Sequence, residues 1–180
     1  MANLNELNGT YVLDTTHTQI GFVARHAMVT KVRGRFSEFE GTATTGENLQ
    51  DAKISVTIQA ASASTGNADR DGHLQTPDFF DTENHKTITF ESTNIEADGD
   101  DLIVTGDLTI KDVSHPVTIP FEYAGSAQDP FGNERVGLEG KVAVNRKDWN
   151  IDFDVPLATG GLLVSEKITL EFEISAIKQA

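Results

Sequence analysis

The sequence predicts an all-β protein: one domain over residues 1–180, built as an eight-stranded antiparallel barrel with a short helical excursion over about residues 62–81. Three observations predict it. Apolar and polar residues alternate with period two along nearly the whole chain, as in "ISVTIQ", "KTITFES" and "KITLEFEIS". Turn residues split these runs at short spacing, as at Ala97-Asp98-Gly99-Asp100 and Asp129-Pro130-Phe131-Gly132-Asn133. A sheet of this size with one apolar face must close on itself or stack on a second sheet, and closure also removes exposed edges.

The elements follow in order. In "IGFVARH", Ile20, Phe22, Ala24 and His26 share one face, and Gly21, Val23 and Arg25 share the other. The remaining strands are expected at 35–43, 53–60, 87–95, 101–111, 117–123, 136–146 and 167–177, each alternating with few errors. Residues 62–81, "SASTGNADRDGHLQTPDFFD", are too long for a hairpin loop and too polar for a strand. Asn67 can cap a short helix to about Gln75, and Thr76-Pro77 can start a second helical turn. Phe79 and Phe80 give this excursion an apolar foot, suited to lidding a barrel mouth or packing on the outer wall. In "RKDWNIDFDVPLATGGLL", Trp149, Ile151 and Phe153 alternate with polar residues before Pro156 and Gly160-Gly161 break the run. That pattern predicts a rim segment covering the end opposite the excursion.

Composition excludes several classes. A chain of 180 residues buries enough core to fold without disulfide staples. With no cysteine, thiol nucleophiles and Cys-ligated metal centres are out. The formal charge of −14 disfavours nucleic acid and anionic membrane surfaces. No apolar run approaches the length of a membrane helix, so stable insertion is not expected. The start, "MANLNELNGTYVLD", has no basic n-region or apolar h-region; a cytoplasmic location is the expectation, or a periplasmic or secreted one if a leader was removed. One stretch departs from the acidic average. Between Thr15 and Ser37 there is no acid, while Arg25, Lys31, Arg33 and Arg35 all fall there. These cations are either balanced by acids of neighbouring strands or form a rim that holds an anionic head group.

By parity the inner face holds Ile20, Phe22, Ala24, His26, Phe36, Ile58, Phe90, Leu108, Phe121, Val142 and Phe172, and the rim segment adds Phe153. Small inner residues, Ala24, Ser92, Gly106 and Gly140, either leave room beside the large ones or allow strand coiling. An eight-stranded barrel is wide enough to be filled by side chains or to hold one slender ligand. His26 could donate to a head group at the mouth, with Arg25 and Arg33 as rim candidates, or bond a neighbouring carbonyl or acid. His17 is expected to bond Asp14 or nearby backbone, and His73 to tie the excursion to the barrel. His85 and His115 read as exposed loop residues preceding strands. Asn67, Asp69, Asp71 and Gly72 imitate the start of a calcium loop, but Pro77 falls inside it and Asp78 stands where the bidentate glutamate belongs. No histidine pair has zinc spacing, and no metal or other cofactor is expected. Asp152 and Asp154 share a face near the rim and read as solvated acids, so no catalytic residue is assigned.

"DTTHTQIGFVARH", "VRGRFSEFEG", "NADRDGHL", "ITFEST", "GDLTIKDVSHPVTIPFEY" and "NRKDWNI" occur in the order found in the YceI-like family, which the chain resembles from about Tyr11 to Ile177. The resemblance implies a lipocalin-like barrel that binds a polyisoprenoid, such as an isoprenoid quinone or prenyl lipid, in its interior. It implies sequestration or carriage without turnover, lipid as the partner, and allows a homodimer. Two alternatives stay open: an enzyme acting on an amphiphile with His26 as acid–base, and a filled barrel serving as an interaction or stress-response module.

Overall fold

The computed structural model describes residue 4, residues 7–46 and residues 49–180. Strands β1 (Gly9–Leu13), β2 (Gln19–His26), β3 (Thr30–Phe36), β4 (Phe39–Thr45), β5 (Lys53–Gln59) and β6 (Ala63–Ser64) precede helix α1 (Ala68–Leu74). Then come β7 (Thr87–Asp98), β8 (Asp101–Ile110), β9 (Val113–Gln128), β10 (Glu134–Asn145) and β11 (Lys167–Lys178). All join one antiparallel sheet, in which β1-β4-β5-β7-β8-β9-β10-β11 form a ring that closes when β11 pairs back onto β1, and β2, β3 and β6 follow in that order from β11. The result is a closed eight-stranded meander.

Two of the eight staves are bent. β1 and β2 lie end to end along β11, with a register slip across residues 14–18. There Asp14 takes over the local hydrogen bonding: its carboxylate accepts from the Thr16 N–H and hydroxyl, and its carbonyl from the Thr18 N–H. β3 and β4 likewise break at Ser37-Glu38. β2 and β3 form a hairpin closed at Ala27–Val29, not anticipated by the alternation, which runs past the barrel's end. Among the described residues, its far edge pairs with just the two residues of β6.

Up-and-down order fixes which links share an end. The β2–β3 turn, residues 60–86, the turn at Lys111-Asp112 and residues 146–166 all lie at one end, called the upper. Asn67 caps α1 by accepting from the Arg70 N–H at 3.0 Å. The expected second helical turn at Thr76 is instead a series of reverse turns ending at Asp81 (φ 48°). The rim segment covers this same upper end, not the opposite one: Phe153 lies 5.3 Å from Phe79 and 4.8 Å from His73, ring to ring. Lys111 binds both segments, donating to the carbonyls of Pro77 and Asn150. At the lower end, Leu4, Leu7, Leu49 and Ala52 pack against the core.

The wall has a seam. Pairing between β9 and β10 runs from Gln128↔Glu134 to Phe121↔Gly140; among the described residues, Val113–Pro120 and Lys141–Asn145 are not paired with each other. The Tyr123 N–H points to Asp100 beside β8, and the β8–β9 register is unbroken. Alternation therefore turns the nitrogens of Pro116 and Pro120 toward β10, where neither can donate. Trp149, 1 % exposed, closes the seam from within, donating its indole N–H to the Leu108 carbonyl at 2.8 Å.

Candidate functional site

A cavity of about 460 Å³ runs through the barrel. It reaches from Leu7, Leu49 and Ala52 at the lower end to Leu74, Phe79 and Phe80 of the excursion, which is therefore a lid. Its walls are almost wholly apolar side chains.

Three phenylalanines explain why the centre is not filled. Phe22 faces Gly34, Phe121 faces Gly140, and Phe90 lies diagonally across from Gly106. A Cβ on Gly106 would meet Phe90 Cζ at 2.5 Å and the Glu91 carbonyl at 2.6 Å. A Cβ on Gly140 would meet Phe121 Cδ1 at 2.7 Å. Each glycine lets a ring lie flat against the wall of the next strand, leaving the axis open. Of the small inner residues, Gly106 and Gly140 make room.

Of the residues placed inward by parity, Ile20, Phe22, Ala24, His26, Phe36, Ile58, Phe90, Leu108, Phe121 and Phe172 line the cavity, as does Phe153 from the rim. Val142 does not. Where β9 leaves β10, Val142 packs on the core but borders a separate cleft of about 490 Å³ shared with His115, Val117, Asp148 and Trp149. Arg33 is also elsewhere: its neighbour Val32 lines the cavity, so Arg33 points outward and pairs with Glu171 at 3.2 Å. Arg25 stands on the lip, its guanidinium donating to the Val29 carbonyl at 3.4 Å.

Polar groups collect at the upper mouth. His26 ends β2, bridged by its backbone to Val164, and among the described residues its imidazole has no hydrogen-bond partner. The lid adds Arg70 and His73. Arg70 donates Nε–H to the Thr65 hydroxyl at 2.7 Å, and His73 meets Asp78 at 2.9 Å, packed edge-on against Phe79 and Phe153. Sequence reading gave His73 a tying role and passed over Arg70. Its signal was Asn67, since a helix capped there turns Arg70 and His73, three apart, onto one face.

Arg146 anchors the rim. Its guanidinium is buried and donates to the carbonyls of Ser165, Ile151 and Val164 and to Asp154 Oδ2 at 3.0 Å. Asp154 is thus a structural partner, not a free acid. Asn67 and Asp71, from the calcium-like string, are engaged within the lid: Asp71 accepts from the N–H and hydroxyl of Thr65. Among the described residues, no three His, Cys, Asp or Glu side chains converge as a metal site. His85 lies in the loop before β7 as expected, but half-buried between Asp81 and Asp112; His115 is exposed as expected, but lies within β9 against Trp149.

A second charged cluster lies below the break in the first stave. Arg135 donates to both Asp14 and Asp129, and His17 meets Asp14 at 2.7 Å. The Thr16 hydroxyl, then Arg135 and His17, hold the Asp14 carboxyl well below the usual carboxylate range. The Asn133 backbone N–H foremost, with the Asn133 amide and Arg135, lowers Asp129 to about 2.

A family model described as the YceI-like domain matches residues 11–176. The chain belongs to the YceI-like family. Protein YceI of Escherichia coli O17:K52:H18 is 36% identical over 164 residues, covering 91% of this chain and 83% of that one. A crystal structure of the Campylobacter jejuni YceI protein superposes with a TM-score of 0.74 at 28% identity, covering 87% of this chain and 90% of that one. A polyisoprenoid binding domain from Saccharophagus degradans shares the fold, with a TM-score of 0.72 at 16% identity and coverage of 94% and 98%.

Proposed function

We propose that this YceI-like barrel sequesters or carries a single long-chain amphiphile, of prenyl-lipid type, with its tail in the cavity and its head group at the upper mouth. The observation that carries this reading is the cavity: about 460 Å³ of almost wholly apolar space along the barrel axis, with every arginine and histidine of its lining at the upper end. That size is ordinary for a small-molecule site. Each methylene moved from water into such a wall contributes about 0.8 kcal/mol. A few isoprene units therefore outweigh any solvent-exposed ion pair, worth roughly 0–1 kcal/mol. Affinity resides in the tail, and His26, Arg25, Arg70 and His73 set head-group selectivity. The polyisoprenoid named for the Saccharophagus degradans domain supports the choice of ligand class.

Binding without chemistry fits the mouth better than turnover. Among the described residues His26 has no ion-paired or hydrogen-bonded carboxylate, and Asp154 is committed to Arg146. Native mass spectrometry of delipidated protein mixed with a prenyl lipid tests the proposal. One ligand per chain is expected. Val56→Trp, placing an indole on the cavity wall, is expected to abolish the adduct while far-UV circular dichroism stays that of the parent. A wild-type chain that gains no mass across prenyl chain lengths contradicts the reading.

A further inference from the structure

Beside the cavity mouth lies a surface that ligand binding does not use. Among the large hydrophobic residues, Met28 is 54 % exposed, Val29 75 % and Val155 44 %. The three belong to one tip. The Ala27 N–H donates to the Leu163 carbonyl, the Leu163 N–H donates to the Val155 carbonyl, and Met28 lies over Gly161. Leu163 and Val164, between these tips and the barrel, line the cavity itself, so the exposed apolar surface is continuous with the apolar interior. Ala27 and Met28 hold φ of 50° and 69°, a tight turn that thrusts Met28 and Val29 outward.

Charge completes the pattern. Ladder partners Arg25↔Lys31, Val23↔Arg33 and Gly21↔Arg35 put all four cations of the β2–β3 hairpin on its outer face. Glu171 neutralises Arg33; among the described residues, Arg25, Lys31 and Arg35 have no ion-pair partner. In a chain of net charge −14, this acid-free hairpin with an apolar tip is an exception that general solubility does not require.

We propose that the β2–β3 hairpin tip docks reversibly on an anionic lipid bilayer, Met28 and Val29 entering the headgroup region and Lys31 and Arg35 facing the lipid phosphates. Apolar tip residues partition into the interface, and flanking cations are drawn to its negative potential. The cavity mouth then opens toward the membrane, the natural store of a prenyl lipid. The contact itself does not depend on what the cavity holds.

The test is co-sedimentation with vesicles of phosphatidylcholine alone or mixed with phosphatidylglycerol. Binding is expected only to the anionic vesicles, weakening as salt rises past physiological strength. Lys31→Gln with Arg35→Gln is expected to lower partitioning roughly 10- to 30-fold, and Met28→Ser with Val29→Ser to abolish it. Both double variants are expected to take up dispersed prenyl lipid in native mass spectrometry as the parent does. Wild-type protein that ignores anionic vesicles, or variants that sediment like the parent, overturns the docking proposal and leaves ligand uptake standing. Loss of uptake by the wild type alone overturns the ligand reading instead. Tip-dependent binding to a protein and not to vesicles would replace the membrane by a protein partner and sink the proposal.

Discussion

At the residue scale, hollowness depends on glycine. Gly34, Gly106 and Gly140 have ordinary strand positions, yet each receives a phenylalanine ring where a Cβ would stand. Gly106→Ala must displace Phe90 or the β7 backbone, and overpacking of this kind costs about 1–3 kcal/mol. The expected outcome is a lower urea midpoint together with weaker ligand uptake, because the displaced ring enters the lumen. The cluster of Asp14, Asp129 and Arg135 makes a separate prediction about acid. Both carboxyls have folded values below their unfolded ones, so their contribution is complete above about pH 4 and is lost as pH falls through about 2 and lower. Thermal melts should therefore show Tm falling between pH 4 and 2. In Asp14→Asn with Asp129→Asn that fall should shrink, at the cost of a lower Tm at pH 7. An unchanged acid slope in the double variant would remove the cluster from the account.

At the element scale, the seam between β9 and β10 leaves Trp149 holding the wall shut. Trp149→Ala removes a fully buried indole and its hydrogen bond to Leu108, with an expected loss of about 3–5 kcal/mol in urea unfolding. The strands were legible because period-two alternation is a local signal that every stave repeats. The bends were not: the turn Asp14 makes onto Thr16 and Thr18 is a break only against β11, far along the chain, and Ser37 donates to Ser62, outside its own strand pair. The seam did carry a signal: Pro116 and Pro120 share one parity in "HPVTIPFEY", which marks one edge of that strand as unpaired. The place of the rim segment was also available from strand counting. Residues 60–86 and 146–166 are separated by four strands of a meander, which returns the chain to the same end. Phe153 over His73 follows from that count. Arg33 could have been set aside by parity alone, because Val32 next to it is apolar and faces in.

At the scale of the whole molecule, the barrel reads as a sleeve: closed below by Leu4, Leu7 and Leu49, open in its middle, and covered above by a lid and rim that meet through His73, Phe79 and Phe153. The sleeve was legible as a shape, through alternation and family resemblance. Its emptiness was not, because parity says which side chains point inward but not whether they touch. That depends on rings lying over glycines of adjacent strands, a relation visible only once register is known. Diffraction from crystals grown with a bromine-tagged prenyl chain tests the hollow directly. The account predicts bromine density inside the ring, between Phe80 at the lid and Leu49 at the floor. Bromine confined to the outer surface, around a centre where Phe22, Phe90 and Phe121 meet across the axis, would contradict it.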